Sequence, residues 1–409
     1  MSPVEQTYFR KGFGLKSAIE GSLTVDYHSR VVDAIREAGY KLEIGDLTFR
    51  LAGEFGFCYG VDRAVEYAYE TRTKFPGKRT FLVGEIIHNP HVNQKLAAMG
   101  IQFLHRPDGG AAEFDFSGVT AEDVVILPAF GVTVRDFERL RAVGCVLVDT
   151  TCGSVLNVWK RVESYARDGF TALIHGKNYH EETKATSSQV NKYSGGKYLV
   201  VRDMSEARVV CEYIEQKEPG AGSRERFLQQ FNGKMTPGFD PDRDLQRVGV
   251  ANQTTMLSGE SLAIAAEVGK SMARRWGEAA LHEHFRTFDT ICSATQERQD
   301  AVLKLIAEPL DLMVVIGGYN SSNTTHLAAI CTERVTTYHI EDAACIDLAA
   351  GSIRFRPVGA HTTEERRENW LPAGPLRIGI TAGASTPNNK IGETIERIAG
   401  LRGEALAVT

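Results

Sequence analysis

Three of the seven cysteines in the sequence stand where a thiolate could bind a metal. Cys58, Cys152 and Cys292 each lie between a strand-like segment and an amphipathic helical segment. A thiolate at the start of a helix meets the positive end of the helix dipole, which lowers the pKa of the thiol and favours metal binding. The other four lie in or beside apolar runs and are predicted to be buried structural residues. They are Cys145, Cys211, Cys331 and Cys345.

Three thiolates without a fourth suit a metal centre that keeps one coordination position open. Zinc bound by three cysteines and a water has this form, and so does a [4Fe–4S] cluster with one iron that no cysteine binds. The cysteines are separated by 94 and 140 residues, so only a complete fold can assemble the site. The chain has seven cysteines in total, an odd number, and no two of them form a CxxC pair. This argues against a disulfide framework, a zinc ribbon or a thioredoxin-like site. An open position indicates a centre that binds substrate.

Each cysteine is followed by two more strand-end loops in a similar order. The loops with His88, His180 and Ser321 come 30, 28 and 29 residues after the three cysteines. In α/β proteins, such loops build sites at the carboxyl ends of strands. The third loop of each set follows an apolar segment, at 124–127, 248–250 and 378–380. Nine loops in this order predict an α/β fold with three small α/β domains in a pseudo-threefold arrangement around the metal site.

The predicted domain bounds follow from the same order. They are an N-terminal extension (1–45), a first α/β domain with Cys58 (46–150), a second with Cys152 (151–290), a third with Cys292 (291–388) and a C-terminal helix or tail (389–409). Within the second domain, the stretch at about 212–244 is charged and rich in Gly and Pro. Such a composition is typical of an exposed, mobile insertion, to which no chemistry is assigned.

The strand-end loops carry mainly neutral polar side chains and histidines. Ser, Asn and His side chains, together with backbone N–H groups, can bind a phosphate or diphosphate without a cluster of Lys and Arg. We assign His88 and His180 to function and His175 to structure. The run Ser321-Ser322-Asn323 fits a helix N-cap equally well.

Two adjacent carboxylates follow His180, and one of them is a candidate proton donor. In an extended loop, neighbouring side chains point to opposite sides, which places Glu182 with His180 and turns Glu181 towards solvent. Enclosure near a ligand would raise the pKa of Glu182, as a donor that works near neutral pH requires. The sequence therefore predicts that Glu182, and not Glu181, delivers protons.

The overall composition excludes several other classes of protein. The 409 residues are 43% hydrophobic and 24% charged, as in a soluble globular protein, and the net charge of −5 does not indicate nucleic acid binding. No apolar run reaches the roughly 18 residues of a membrane span. The first residues resemble neither a signal peptide nor a transit peptide. We expect a cytoplasmic protein, or a plastid stroma protein in the case of a trimmed plant form.

With these residues collected, the sequence resembles the family of 4-hydroxy-3-methylbut-2-enyl diphosphate reductases, which act last in the methylerythritol phosphate pathway of isoprenoid biosynthesis. The resemblance covers about residues 46–390, and eight motifs occur in the order found in the family. The motifs are Gly56-Phe57-Cys58-Tyr59-Gly60-Val61, Glu85-Ile86-Ile87-His88-Asn89, Asp149-Thr150-Thr151-Cys152, His180-Glu181-Glu182, Gln253-Thr254-Thr255, Cys292-Ser293-Ala294-Thr295, Asn320-Ser321-Ser322-Asn323 and Thr381-Ala382-Gly383-Ala384-Ser385.

The resemblance implies a [4Fe–4S] cluster on Cys58, Cys152 and Cys292, with an open iron for the hydroxyl end of the substrate. Glu182 would supply protons and Thr254 would lie near the hydroxyl end. Two electrons and two protons would break the C–O bond, release water and yield isopentenyl or dimethylallyl diphosphate, with ferredoxin or flavodoxin as the electron donor. The residues that would hold the diphosphate are His88, His180, Ser321, Ser322, Asn323 and Ser385.

One loop departs from the pattern of the family. Many members have a histidine in an Ala-His-Gly-Val loop, where this chain has Phe130 between Ala129 and Gly131. A phenylalanine side chain cannot donate a hydrogen bond to a phosphate, so that contact is not carried over. The long N-terminal extension, the insertion and Phe130 resemble the branch of the family found in cyanobacteria and plant plastids.

Two other functions use the same residues. A zinc hydrolase of a phosphorylated metabolite would use the three cysteines as ligands and Glu182 as the base. An iron–sulfur sensor that binds a diphosphate ligand is the non-enzymatic alternative, but no basic recognition helix is evident. No flavin or dinucleotide fingerprint is present, so the sequence itself does not name the electron donor.

Overall fold

The structure is a computed structural model, which describes residues 7–107, 113–216, 221–288, 290–360 and 362–406. Its strands are β1 (Tyr8–Phe9), β2 (Lys41–Ile44), β3 (Leu47–Leu51), β4 (Thr80–Val83), β5 (Ile101–Leu104), β6 (Val124–Leu127), β7 (Val146–Asp149), β8 (Thr171–His175), β9 (Lys197–Val201), β10 (Val248–Asn252), β11 (Phe285–Thr287), β12 (Leu312–Ile316), β13 (Thr337–Ile340), β14 (Ile346–Asp347), β15 (Ser352–Phe355), β16 (Glu365–Glu368) and β17 (Leu376–Ala382).

The helices alternate with these strands along most of the chain. They are α1 (Lys16–Tyr27), α2 (Arg30–Glu37), α3 (Tyr59–Lys74), α4 (Pro90–Ala98), α5 (Val134–Val143), α6 (Gly153–Arg167), α7 (Glu181–Ser188), α8 (Met204–Glu215), α9 (Ala221–Gln230), α10 (Pro241–Asp244), α11 (Ser258–Trp276), α12 (Leu281–His284), α13 (Ser293–Leu305), α14 (Ser322–Thr332) and α15 (Asn388–Gly400). Within the described ranges, no helix combines the length and the apolar character needed to cross a membrane.

The chain divides into two compact units. Unit 1 comprises Met1–Lys11, Gly77–Gly84 and Gln102–Cys292, and unit 2 comprises Gly12–Pro76, Glu85–Ile101 and Ser293–Thr409. Each unit is therefore assembled from segments that are far apart in the sequence.

Unit 1 contains two sheets. The first has the strand order β1-β7-β6-β4-β5 and the second has the order β11-β10-β8-β9. The strand pairs of the second sheet are all parallel, as are β1–β7, β7–β6 and β6–β4 in the first. Parallel sheets of this kind are covered on both faces, which explains the continuous apolar runs of β6 and β8.

The described residues of the stretch at about 212–244 are packed into unit 1 through buried side chains, which contradicts the exposed insertion that the composition predicts. Phe227, Phe231 and Phe239 are buried in the same apolar cluster as the strands of the second sheet. Two backbone hydrogen bonds also attach the segment to β9. The Val200 N–H donates to Lys234 O at 2.7 Å, and the Thr236 N–H donates to Tyr198 O at 3.1 Å. The prediction was wrong because it rested on the average composition, in which charged residues dominate. The packing of the segment is determined by its three phenylalanines.

Unit 2 contains a five-stranded sheet with the order β13-β12-β17-β3-β2 and a small antiparallel sheet of β14, β15 and β16. The strands of the larger sheet are parallel except for β2, which is antiparallel to β3. Side chains of β12 alternate between two clusters, with Val314 facing one and Val315 facing the other. The sheet is therefore buried on both faces, and α15 contributes Ile391 and Ile395 to the first cluster.

The fold class predicted from the sequence is confirmed, because strands and helices alternate in several small, mostly parallel sheets. Sheet membership crosses the predicted domain bounds, however. β3, which the prediction places in the domain of residues 46–150, pairs with β17 in the sheet of unit 2. β1, which lies in the predicted N-terminal extension, pairs with β7 in the first sheet of unit 1.

Candidate active site

In unit 1, Cys152 lies at the start of a helix beside Cys292. Cys152 is the N-cap residue of α6, and its backbone N–H donates to Ala129 O at 3.0 Å. Ser154 lies in the first turn of α6, and its hydroxyl donates to Cys292 Sγ at 3.3 Å. The strand-end loops of Cys152 and Cys292 thus meet within one unit.

Burial raises the pKa of the Cys152 thiol, which contradicts the expectation of a lowered value. The backbone N–H groups of Ser154 and Val155 do lower the pKa, as a helix start should, and the neighbouring Cys292 raises it. Loss of hydration therefore outweighs the effect of the helix start on the pKa of this thiol. A bound metal would have to supply the energy that removes this proton.

The turn before Cys152 is held by Asp149, which belongs to the same sequence motif as the cysteine, and by Tyr8, which the sequence did not indicate. Asp149 accepts a hydrogen bond from the Thr151 backbone N–H at 3.0 Å and another from the Tyr8 hydroxyl at 2.6 Å. Burial, together with the adjacent Asp149 carboxylate, raises the pKa of Tyr8. The N-terminal segment therefore helps to fix the loop that carries Cys152.

His180 and Glu182 lie at the start of α7 in unit 1. His180 is the N-cap residue, and its Nδ1 accepts the backbone N–H of Glu182 at 3.1 Å. A neutral imidazole that accepts through Nδ1 carries its proton on Nε2, which can then donate to an anionic ligand. Glu182 Oε1 accepts the backbone N–H of Thr254 at 2.6 Å. Three predicted site residues are therefore joined by two hydrogen bonds.

Glu182 is almost completely buried, with 2% of its surface exposed. Burial raises the pKa of Glu182 to about 7, although hydrogen bonds from Thr254 act in the opposite direction. A carboxyl group with this pKa can both hold and release a proton near neutral pH.

Glu181 has a different environment. Its side chain is 35% exposed and forms ion pairs with Arg106 at 3.0 Å and Lys184 at 3.2 Å. The predicted separation of the two carboxylates is present, but its cause is not an extended loop, because the helix begins at Glu181. Successive side chains on a helix are rotated by about 100°, which is sufficient to place the carboxylates of Glu181 and Glu182 in different surroundings.

A buried amide, Gln253, organises the same region, although only its motif was noted from the sequence. Its Oε1 accepts hydrogen bonds from the Lys177 backbone N–H and the Thr183 hydroxyl, both at 3.1 Å, and its Nε2 donates to the Thr255 hydroxyl at 2.8 Å. A Cβ atom at Gly176 would lie 2.8 Å from the Thr183 hydroxyl. This close packing requires glycine and keeps the loops of His180 and Thr254 together.

Phe130 lies beside His180, with ring centroids 5.7 Å apart in an edge-to-face arrangement. It is half-buried and is not among the described residues of the apolar clusters that contain Leu127 and Ile174. The next residue, Gly131, has a positive φ of 74°, and a Cβ atom there would overlap the ring of Trp159. The loop that departs from the family pattern is therefore held against a predicted ligand-binding histidine.

The loop before Cys292 is tied to the loop of Thr254. The Asn252 backbone N–H donates to the Thr290 hydroxyl at 3.2 Å, and that hydroxyl donates to the Asn252 side-chain oxygen. β11 ends at Thr287, so Cys292 follows its strand less directly than Cys152 follows β7, which ends at Asp149. His175, assigned to structure, is fully buried and contacts the Ser261 hydroxyl at 2.8 Å.

In unit 2, Cys58 lies beside a loop predicted to bind the diphosphate. Cys58 is the N-cap residue of α3, and its backbone N–H donates to Ala384 O at 3.2 Å. The Ala384 backbone N–H donates to Asn323 Oδ1 at 2.9 Å. The next residue, Ser385, donates from its hydroxyl to His88 O at 3.3 Å. Four predicted site residues of unit 2 are therefore connected.

Ser321 is the N-cap residue of α14, since its hydroxyl accepts the backbone N–H of Thr324 at 3.3 Å. The N-cap interpretation of Ser321 is thus confirmed. Its own O–H group can still donate to an anion at the positive end of the helix dipole. Ser322 and Asn323 are buried in the same turn. In a separate loop of unit 2, His88 Nδ1 lies 2.8 Å from the Glu85 carboxylate.

The predicted site residues fall into two sets. Unit 1 brings together Cys152, Cys292, His180, Glu182 and Thr254, and unit 2 brings together Cys58, His88, Ser321, Ser322, Asn323 and Ser385. Among the described residues, no group of three or more His, Cys, Asp or Glu side chains is arranged to hold a metal ion. The meeting of all three cysteines stays a prediction.

The chemistry of the cysteines nevertheless fits a cluster held by three thiolates. All seven cysteines are free, and Cys58, Cys152 and Cys292 are partly exposed whereas the other four are buried. Burial raises the pKa of Cys145 and Cys211 to about 11 and that of Cys331 to about 12. Thiols with such a high pKa are poor metal ligands.

Comparison with known proteins identifies the family of the chain. The profile of the LytB protein family matches residues 49–399. A 4-hydroxy-3-methylbut-2-enyl diphosphate reductase of Gloeobacter violaceus is 50% identical over 400 residues, which are 97% of this chain and 93% of that protein. Another of the same name from Thermosynechococcus vestitus is 49% identical over 98% of this chain and 96% of its own length.

Two solved structures share the fold. A structure described as (E)-4-hydroxy-3-methyl-but-2-enyl diphosphate reductase, the terminal enzyme of the non-mevalonate pathway, is 28% identical with a TM-score of 0.52 and covers 86% of this chain and 99% of its own. A Plasmodium falciparum reductase is 21% identical, with a TM-score of 0.61 over 86% of this chain and 87% of its own, and bears on the fold alone. Because the family profile and the cyanobacterial relatives span most of its length, the chain belongs to the LytB family of 4-hydroxy-3-methylbut-2-enyl diphosphate reductases.

Proposed function

We propose that this chain removes the hydroxyl group of 4-hydroxy-3-methylbut-2-enyl diphosphate by [4Fe–4S]-dependent reduction, giving isopentenyl and dimethylallyl diphosphate. The observation that carries the proposal is the buried Glu182, whose pKa of about 7 suits proton delivery. It lies in one hydrogen-bonded group with His180 and Thr254, in the unit that also holds Cys152 and Cys292.

Cys58, Cys152 and Cys292 would hold the cluster. When bound, such a cluster supplies single electrons and one iron that is open to the hydroxyl end of the substrate. The three cysteines are partly exposed and lie directly before helices, which supports their assignment over the four buried cysteines. Ferredoxin or flavodoxin as the electron donor and the cytoplasm as the location stay predictions from the sequence.

The diphosphate would be bound mainly by unit 2. The start of α14 offers the hydroxyl groups of Ser321 and Ser322 together with backbone N–H groups at the positive end of the helix dipole. Ser385 and His88 belong to the same hydrogen-bonded group, and Asn323 fixes the loop of Ser385. These neutral donors would bind an anion without a matching charge in the protein. His180 stays a predicted ligand of the diphosphate, as the sequence indicates, with Nε2–H as its donor.

Glu182 would hold the proton that the departing hydroxyl group needs to leave as water. The Thr254 backbone N–H fixes the orientation of its carboxyl group, and burial keeps it protonated up to about pH 7. After proton release, the Thr254 N–H stabilises the carboxylate until a new proton arrives. Exclusion of water around a buried acid also directs its proton to the substrate.

The direct test is anaerobic turnover of the hydroxylated diphosphate by the purified protein with a chemical reductant, followed by product analysis. We expect brown, iron-containing protein and both five-carbon diphosphates. A colourless, zinc-loaded protein that hydrolyses a phosphorylated metabolite would refute the proposal in favour of the zinc hydrolase. Iron-containing protein that binds the diphosphate without turnover would favour the sensor.

A further inference from the structure

Arg298 is a buried cation in unit 2 that the proposed reaction does not use. It lies on α13, and only 3% of its surface is exposed. Its Nε and Nη2 donate to Gly56 O at 3.2 and 2.7 Å, and Nη2 also donates to Phe57 O at 3.1 Å. The remaining nitrogen, Nη1, donates to Ala294 O at 2.9 Å on its own helix. Three of these four hydrogen bonds therefore go to the two backbone carbonyl groups that directly precede Cys58.

The opposite edge of the Cys58 loop is held by the end of β17. The backbone N–H of Gly56 donates to Ala382 O at 3.3 Å, and that of Cys58 donates to Ala384 O at 3.2 Å. Gly56 has a φ of 73°, and a Cβ atom there would lie 3.3 Å from Thr386 O. The loop therefore has its N–H groups fixed on one side and its carbonyl groups fixed by Arg298 on the other.

Within the described part of the chain, no carboxylate forms an ion pair with Arg298. All of its hydrogen-bond acceptors are neutral carbonyl oxygens. Partial desolvation raises the pKa of Asp62, and the charges of Lys16 and Arg298 oppose this rise. Asp62 therefore interacts electrostatically with the Arg298 guanidinium but lies beyond ion-pair distance from it. A buried charge without a counter-charge is costly, and an anion bound beside it recovers part of that cost.

We propose that Arg298 is the positioning residue for Cys58 and the buried positive charge that favours the reduced state of the cluster held there. The inference rests on the proposed function, because the anion it invokes is the thiolate-bound cluster. Charge and hydrogen bonds near a cluster set its reduction potential, and a nearby cation raises that potential by stabilising the added electron. Arg298 thus has two separable tasks, one done by its hydrogen-bond geometry and the other by its charge.

Two variants separate these tasks in the cluster-containing enzyme. Arg298→Met removes the charge and all three hydrogen bonds to the Cys58 loop, whereas Arg298→Lys keeps the charge and loses the forked geometry. The matched control is Arg397→Met, since Arg397 also donates to a backbone carbonyl of unit 2, Ile346 O at 2.6 Å, but on another helix. The readouts are iron per protein, the rate of iron loss to a chelator, and the reduction potential from a titration followed by electron paramagnetic resonance.

We expect both Arg298 variants to lose iron to the chelator at least roughly tenfold faster, the factor for one hydrogen bond to a charged donor. Only Arg298→Met should also have a more negative potential. Wild-type potential and iron retention in folded Arg298→Met would overturn the inference. If that variant does not fold, an unchanged rate of iron loss in Arg298→Lys overturns it equally. Wild-type protein without iron or turnover would instead refute the proposed function itself.

Discussion

The sharpest prediction concerns the single change Glu182→Gln, which keeps the shape of the side chain and removes its exchangeable proton. The Gln oxygen can still accept the Thr254 backbone N–H that Glu182 accepts at 2.6 Å. Any cluster should survive, and substrate should still bind. Turnover should fall by about 10² to 10⁴, the loss typical of a missing general acid.

The same substitution has an expected effect on stability. Native Glu182 keeps its proton up to about pH 7, whereas an exposed Glu releases its proton near 4.5. Between these values the native chain binds more protons than the unfolded chain, so the free energy of unfolding falls as the pH rises through that window. The difference corresponds to about 3 kcal/mol. Glu182→Gln removes this penalty and should be more stable than wild type at pH 8.5 by up to that amount, but not at pH 4.

Two assays check the two parts. Steady-state turnover from pH 6 to 9 should show a wild-type rate that declines above about pH 7, as Glu182 loses its proton, and this decline should be absent from the residual activity of Glu182→Gln. Urea unfolding at pH 4 and 8.5 gives the stability difference. The control is Glu181→Gln, which breaks the ion pairs with Arg106 and Lys184 and should stay within a few-fold of wild type. A larger loss in Glu181→Gln than in Glu182→Gln would show that the proton donor has been assigned to the wrong residue.

Three further outcomes are expected. Substitution by serine at any of the three predicted ligands, Cys58, Cys152 and Cys292, should remove the cluster iron and nearly all activity. Alanine at any of the four buried cysteines should preserve the iron content. A buried cysteine that proves necessary for iron would contradict the ligand assignment. Phe130→Ala should change the KM for the diphosphate, through its contact with His180, without changing iron content, and an unchanged KM would show that its ring is irrelevant to the ligand. Phe231→Ala, in a fully buried position of the segment at 212–244, should lower the free energy of unfolding by about 3 kcal/mol or more, and a value below 1 kcal/mol would mean that the segment packs loosely.

The sequence predicted the elements well where a short apolar run ends in polar residues. β6 coincides with the apolar segment at 124–127, and β10 and β17 contain the apolar segments at 248–250 and 378–380. Each of these segments buries side chains locally, so the pattern within the segment is sufficient. The grouping of His180 with Glu182 was also predictable, because neighbours in sequence cannot lie far apart.

Sheet membership and the supporting residues of the site could not be predicted in the same way. Nothing in the pattern of β3 indicates that its partner is β17, since parallel strands pair through distant segments. The role of Asp149 as an acceptor for Tyr8 likewise depends on a contact over 141 residues. The burial of the segment at 212–244 had a readable signal, however, in Phe227 and Phe231 at helical spacing, which the average composition concealed.

The pairing of β3 with β17 has a consequence for the order of events during protein synthesis. Leu47 pairs with Leu376, roughly 330 residues later, so this contact is among the least local in the chain. While the ribosome adds the intervening residues, β3 has only the edge strand β2 beside it, and the loop of Cys58 lacks Ala382 and Ala384. The Cys58 loop can reach its final conformation only after the last strand has left the ribosome. Assembly of the proposed cluster is therefore expected to follow translation, and a chain truncated before residue 376 should be a substrate for chaperones and should not take up a cluster.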